Sequence, residues 1–362
     1  MNSTIRRVVL GTAAFSMALS VAACGKAGSD SGDSGDSKTI GILLPENKTT
    51  RYETFDRPLM EKKIKALCSD CEISYNNANQ ETELQKKQFD AMITKGVKVI
   101  ILDAVDATAT KSWVDAATKK GVKVVAYDRL AEGDISAYIS YDNERIGELQ
   151  GEAVLEALGD KAADSELVMI NGSPTDPNAA LFKKGAHTVL DDKVKKIVYE
   201  QDIPDWSPDE ANKKMSAAIT SLGKDGFDAV YSANDGMAGG IITALKSRGV
   251  KDVPVGGQDS ELAGLQRIVA GTQTFTIYKG IKPEAERTAE IAVALLNGDS
   301  IDKFAPQKAD SKSKKGIPTQ LFDATIVTKD NIKDTIVKDE VYSVDDICTK
   351  EFAAACKKAG LQ

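Results

Sequence analysis

Val122-Lys123-Val124-Val125-Ala126-Tyr127-Asp128-Arg129 is a short apolar run that stops at a carboxylate and a guanidinium. Five other runs end in the same manner. Residues 39–44 lead to Arg51 and Tyr52, 97–102 to Asp103, and 167–170 to Ser173, Asp176 and Asn178. Residues 229–231 lead to Asn234 and Asp235, and 253–255 to Gln258 and Asp259. Stretches with helical spacing separate most of these runs, the pattern of parallel strands joined by crossover helices. In open sheets of that kind, ligands bind beyond the carboxyl ends of the strands. A ring of Asp, Asn, Arg and Gln with aromatic neighbours suits a polyhydroxylated molecule such as a sugar.

Outward from that stretch, the alternation continues. Strands are expected over 38–44, 72–76, 97–103, 122–127, 166–171, 194–200, 229–233, 253–257, 273–278 and 321–327. Helices are expected over 55–67, 81–95, 108–120, 143–158, 178–190, 208–222, 237–248, 261–270 and 281–296. Two α/β units in tandem follow, with a change near 138–144, and 303–315 reads as a polar loop. A chain of 362 residues exceeds what one hydrophobic core usually serves.

The first residues bear on compartment. Arg6 and Arg7 precede an apolar run over 8–21, and Val21-Ala22-Ala23-Cys24-Gly25 resembles a lipobox, with Cys24 as the lipidated residue of a bacterial lipoprotein. The run is shorter than the ~20 residues a bilayer-spanning helix requires. Residues 25–37 are almost all Gly, Ser and Asp, a flexible tether in expectation. The reading is therefore a signal segment 1–24 and a body anchored by lipid to the extracellular face of the membrane, in a Gram-positive cell.

A net charge of -7 without a basic cluster argues against nucleic acid. No Gly-x-x-x-x-Gly-Lys-Ser/Thr loop is present to cradle a nucleotide, and no cofactor is expected. Four cysteines remain beyond Cys24. Cys68 and Cys71 lie where a helix gives way to a strand, and are either bridged or free. A metal site would need further ligands, and the single histidine, His187, lies in an unrelated region. Cys348 and Cys356 could not meet on one continuous helix, where eight residues span ~12 Å. They could close if Thr349 caps the helix and Cys348 precedes it.

Several ordered segments carry a family resemblance. They are Val125-Ala126-Tyr127-Asp128-Arg129, Tyr138-Ile139-Ser140-Tyr141-Asp142-Asn143-Glu144, Gly172-Ser173-Pro174-Thr175-Asp176, Ser232-Ala233-Asn234-Asp235, Gly257-Gln258-Asp259, the run from Ala270 to Lys279, and Asp330-Asn331-Ile332-Lys333-Asp334-Thr335. From 38 to about 341 the chain resembles the type I periplasmic-binding-protein superfamily in its sugar-binding branch, and most of all the xylose-binding proteins of ABC importers. The resemblance implies an α/β fold of two Rossmann-like lobes joined by a three-crossing hinge. The early lobe would be 38–140 with 280–315, the later lobe 143–276 with 318–345, and 346–362 a tail helix outside the resemblance.

It also implies sugar contacts. Asp128 and Arg129 would face the sugar from the early lobe with Arg51, and Tyr52 would pack against the ring. Trp206, in a loop, would stack an exposed indole on the apolar sugar face. Asn178, Asn234, Asp259 and Lys279 would supply further polar contacts, while Asp235 either shares that role or caps the next helix. Pro177 stands where the xylose-binding pattern has asparagine, and 45–50 also differs. The expected partners are a monosaccharide (xylose first, fructose or ribose next), a membrane permease and its separate ATPase subunit, with the chain itself a monomer. A sugar sensor presenting ligand to a receptor is the alternative, and a carbohydrate-active enzyme a further one.

Overall fold

The computed structural model describes residues 38–362; the signal segment 1–24 with Cys24 and the tether 25–37 lie outside the described residues. In chain order the strands are β1 (Thr39–Leu44), β2 (Glu72–Asn77), β3 (Val99–Leu102), β4 (Lys123–Tyr127), β5 (Ala137–Tyr141) and β6 (Glu166–Asn171). They continue as β7 (Lys196–Asp202), β8 (Ala229–Ser232), β9 (Thr276–Lys279), β10 (Gln307–Ala309), β11 (Ile317–Phe322) and β12 (Ala324–Val327). Seven of them form one sheet in the order β10-β11-β5-β4-β3-β1-β2, parallel except for β10 against β11. A second parallel sheet runs β7-β6-β8, and β9 pairs antiparallel with β12.

The apolar runs are continuous because helices cover both faces of the larger sheet. Ile40, Ile42, Ile101 and Val125 share one core with Ala285, Ala289 and Ala292 of helix Ile281–Asn297. On the opposite side Leu43, Ile100, Leu102 and Val124 share another with Phe89, Met92, Trp113 and Val114. A third core joins Val168, Ile170 and Val230 of the smaller sheet to Ile146, Phe182, Met215 and Ile241. Burying one such aliphatic side chain stabilises by about 1.5–3 kcal/mol. The chain passes between the halves after β5, at Gly280 after β9, and at Asp323 between β11 and β12. The architecture is α/β, with two lobes and three crossings.

Several expectations need correction. The segment 318–345 does not sit wholly with the later half: β11 pairs in register with β5, and Ile317 is buried in the larger sheet's core. Residues 303–315, expected as a polar loop, contain strand β10, paired antiparallel with β11. Residues 137–141, read only as a junction, form a full strand. Residues 253–257 make a single bridge, Val230 to Val255. Pro254 accepts the Val230 N–H at 2.9 Å but has no N–H to extend the ladder.

The tail 346–362 is not one helix. Short helices Val344–Ile347 and Ala353–Lys358 flank a turn, and Cys348, which ends the first, is bonded to Cys356 in the second. Phe352, not Thr349, occupies the cap of the second helix. Cys68 is likewise bonded to Cys71 just past helix Arg57–Leu67. Among the described residues no helix is long and apolar enough to cross a membrane.

Candidate functional site

Strand ends from both sheets converge on one narrow cavity of about 20 Å³. All the residues expected to contact sugar line it: Arg51, Tyr52, Asp128, Arg129, Asn178, Trp206, Asn234, Asp259 and Lys279. Thr49, Asp176, Phe182 and Gln258 complete the wall. The walls stand close together, with room for about one water between them.

Asp128 follows β4 in a left-handed conformation, φ 55°, that turns the chain sharply at the strand end. Its backbone carbonyl accepts from Ser140 Oγ at 2.6 Å and from Asn178 Nδ2 at 3.1 Å, and its Oδ2 accepts from the Tyr52 hydroxyl at 2.9 Å. Burial alone would raise its pKa, but Lys279, Arg51, Arg129 and the Tyr52 hydroxyl outweigh that and hold it below the ordinary carboxylate value. Asp128 is thus a fixed, ionised acceptor.

Arg129, 1% exposed, sits among carboxylates. Its Nε lies 2.9 Å from Asp176 Oδ2 and 3.4 Å from Asp103 Oδ1, and Nη1 donates to the Ala104 carbonyl at 3.1 Å. Asp103 lies beneath Arg129, its pKa driven up by burial against that cation's pull. The Arg129–Asp176 pair reaches from the end of β4 to the N-cap of helix Pro177–Leu190, linking the two halves.

Arg51 is clamped from one side. Its Nε donates to both Asp56 oxygens at 3.1 and 3.2 Å, and Nη2 donates to Asp56 Oδ1 at 2.6 Å and Glu284 Oε2 at 2.5 Å. Nη1 is buried without a protein partner. The Tyr52 ring lies between the two guanidiniums, 5.6 Å from Arg51 Cζ and 5.8 Å from Arg129 Cζ. It therefore presents an ordered aromatic surface.

From the other half, Lys279 Nζ pairs with Asp259 Oδ1 at 2.9 Å and lies 5.7 Å from the Phe182 ring centroid. Burial would lower the Lys279 pKa, but Asp259 and Asp128 raise it further than burial depresses it. Asp259 is left-handed, φ 91°, with its N–H donating to the Ile277 carbonyl at 2.9 Å. Gln258 Oε1 is buried without a protein partner. Asn234 lines the wall while its Oδ1 accepts from Met237 N at 2.9 Å, capping helix Asp235–Arg248. That settles the cap in favour of Asn234. Asp235 faces away, accepting from Gln273 Nε2 at 2.6 Å and Thr276 Oγ1 at 2.9 Å.

Trp206 differs from expectation: its indole is 5% exposed, not open to solvent. It adopts φ 51°, rare for a bulky residue, and its Nε1 donates to Asp176 Oδ2 at 3.2 Å. Gly172 permits the burial, since a Cβ there would stand 2.1 Å from the indole. The Phe182 ring meets it edge-on at 6.4 Å.

Reading strand ends missed Thr49 and Phe182. Phe182 had a signal: it lies four residues after Asn178, on the same face of one helix. Asp176 and Gln258 stood at strand ends but were not carried into the site. Glu46, Asp56 and Glu284, beneath the wall, gave no local sign. Among the described residues, no group of three or more His, Cys, Asp and Glu is arranged to hold a metal ion.

Comparison with known proteins gives consistent matches. The family described as "Periplasmic binding protein domain" matches residues 40–300. The chain is 37% identical over 317 residues to the D-xylose-binding periplasmic protein of Escherichia coli, covering 85% of this chain and 92% of that one. It is 30% identical to the multiple sugar-binding periplasmic receptor of Rhizobium radiobacter, over 86% of this chain and 93% of the other. A solute-binding protein of an ABC transporter from Clostridium phytofermentans, solved with bound beta-D-glucose, superposes with a TM-score of 0.77 at 27% identity, over 85% of this chain and 99% of that one.

Proposed function

The chain belongs to the periplasmic binding protein family, and on that premise we propose that it captures an uncharged monosaccharide and hands it, unaltered, to the permease of an ABC importer. One observation carries the reading. The wall sets Asp128, Asp176 and Asp259 against Arg51, Arg129 and Lys279, so the formal charges cancel. Such a wall has no net attraction for an ion, yet it is dense in fixed donors and acceptors. The Arg51 Nη1 donor and the Gln258 Oε1 acceptor are buried without protein partners. Leaving such groups unmade costs about 1–3 kcal/mol each. A sugar hydroxyl, both donor and acceptor, answers either.

Trp206, Phe182 and Tyr52 supply the apolar surface that the C–H faces of a sugar need. Xylose is the first candidate, supported by relatives named for it at 37% and 34% identity, with fructose and ribose next. In this reading the halves, about 38–141 with 281–322 and 143–279 with 324–345, close on the ligand by hinge motion at the three crossings. Cys24 carries the lipid that keeps the protein at the cell surface.

Titration calorimetry of the leaderless protein with D-xylose, D-fructose, D-ribose, D-glucose and L-arabinose tests the proposal. A saturable heat with at least one is expected, weakened at least about tenfold by Trp206→Ala, which removes the stacking surface. Silence across the panel would refute it. Labelling whole cells with a palmitate analogue, with and without Cys24→Ser, tests the anchor.

A further inference from the structure

Glu284 lies outside the cavity wall, yet it touches a wall cation, Arg51, whose Nη1 is buried without a protein partner. The Arg51 guanidinium has three nitrogens. Nε is taken by Asp56, Nη2 by Asp56, Glu284 and the Tyr127 hydroxyl, and Nη1 by nothing in the protein. Asp56 is only five residues on, in the same helical segment, and so moves with Arg51. Glu284 comes from elsewhere: it stands in the first turn of helix Ile281–Asn297, just past the Lys279–Gly280 crossing. It is wholly buried, 0% exposed, and the Tyr141 hydroxyl donates to the Gly280 carbonyl at 3.0 Å beside it.

A guanidinium held by one carboxylate can rotate to offer Nη1 and Nη2 together in the bidentate geometry that Arg and carboxylates favour. The second carboxylate blocks that rotation. We propose that Glu284 is a positioning residue, fixing the rotation of Arg51 so that Nη1 alone is presented to the ligand, and tying that presentation to the hinge helix. The inference rests on the sugar-binding reading for its purpose, but the Arg51–Glu284 contact lies within one half of the molecule and is open to test without ligand.

The experiment compares wild type, Glu284→Gln, Arg51→Met and the double variant, all as the leaderless chain. Two measurements are made: the Kd for D-xylose, or for whichever panel sugar binds wild type, and the side-chain 15N NMR signals of Arg51 without sugar. Wild type should show resolved, slowly exchanging Arg51 Nη signals that Glu284→Gln averages. Glu284→Gln should weaken binding by about tenfold, the scale of one charge-assisted hydrogen bond, and should leave Kd unchanged when added to Arg51→Met. Equal weakening in both backgrounds, or Arg51 signals unaltered by Glu284→Gln, would overturn the proposal in favour of mere packing. Should no sugar bind wild type while the Arg51 signals still respond, the sugar reading fails and the positioning role stands.

Discussion

The cavity and the C-terminal tail are held together by opposite means. Around the cavity, Arg51, Arg129 and Lys279 are each fixed by buried carboxylates, and some polar atoms remain without partners. The tail region rests on Leu265, Ile268, Val327, Ile332, Ile336 and Ile347, with the Cys348–Cys356 bond closing it. Buried charge gives specific geometry at a high desolvation cost, while apolar burial and a cross-link give stability that asks nothing of a ligand. In our reading, the first region is arranged to hold a ligand, and the second to hold itself together.

The comparison breaks most sharply at Arg129. Arg129→Met leaves Asp176 and Asp103 buried without their cation, and removing one member of a buried pair costs about 3–5 kcal/mol. Urea unfolding should show a loss on that scale together with weakened sugar binding. A change below about 1 kcal/mol would mean that the carboxylates simply take up protons, as burial already inclines them to do.

Next in size is the tail. Cys348→Ser with Cys356→Ser releases a loop with a sequence separation of 8, for an expected loss of about 2–3 kcal/mol. Calorimetric Kd should not move, because none of these residues lines the cavity. A shift in affinity would show that the tail acts on the site.

The smallest effect belongs to the seam between the regions. There Thr50 N donates to Glu261 Oε1 at 3.2 Å, and Phe55 meets Tyr342 edge-on at 5.4 Å. Burial, then Asp235 and Asp259, pushes the Glu261 carboxyl up to about 8. A folded-state pKa above the unfolded one means the folded protein holds its proton more tightly. That stability is fully present below the unfolded pKa of ~4.3 and is lost as pH rises through about 8. Thermal unfolding from pH 5 to 8.5 should therefore show wild type losing stability as pH rises, and Glu261→Gln losing less, by about 1–2 kcal/mol since Asp235 shares the titration. Parallel profiles would remove Glu261 from the seam.

Much of the fold is legible in particular residues. Ile40, Ile42, Val99, Ile101 and Val125 announce buried parallel strands, and Asn143, Pro208 and Ile281 each stand where a helix begins. The site is legible wherever a polar side chain ends a strand, as at Asp128, Asn234 and Asp259. Trp206 announced its place in the wall but not its burial, which depends on Gly172 and Phe182 from other elements. The single strand expected at 321–327 is two, β11 and β12, split at Asp323 and paired in different sheets, because Leu321 and Ile326 would suit either core.

Local order, which residues are apolar and how they are spaced, set the strands, the helices and the list of polar residues facing one end of the sheets. That much needs only near neighbours, since periodicity is a property of the chain. Which buried charges meet was decided by the assembled structure alone. Arg51 finds Glu284 across 233 positions, and Arg129 finds Asp176 across the gap between the halves. No local pattern records such a pairing, because an ion is admitted to a protein interior only where the whole fold brings its counter-charge within a few ångströms.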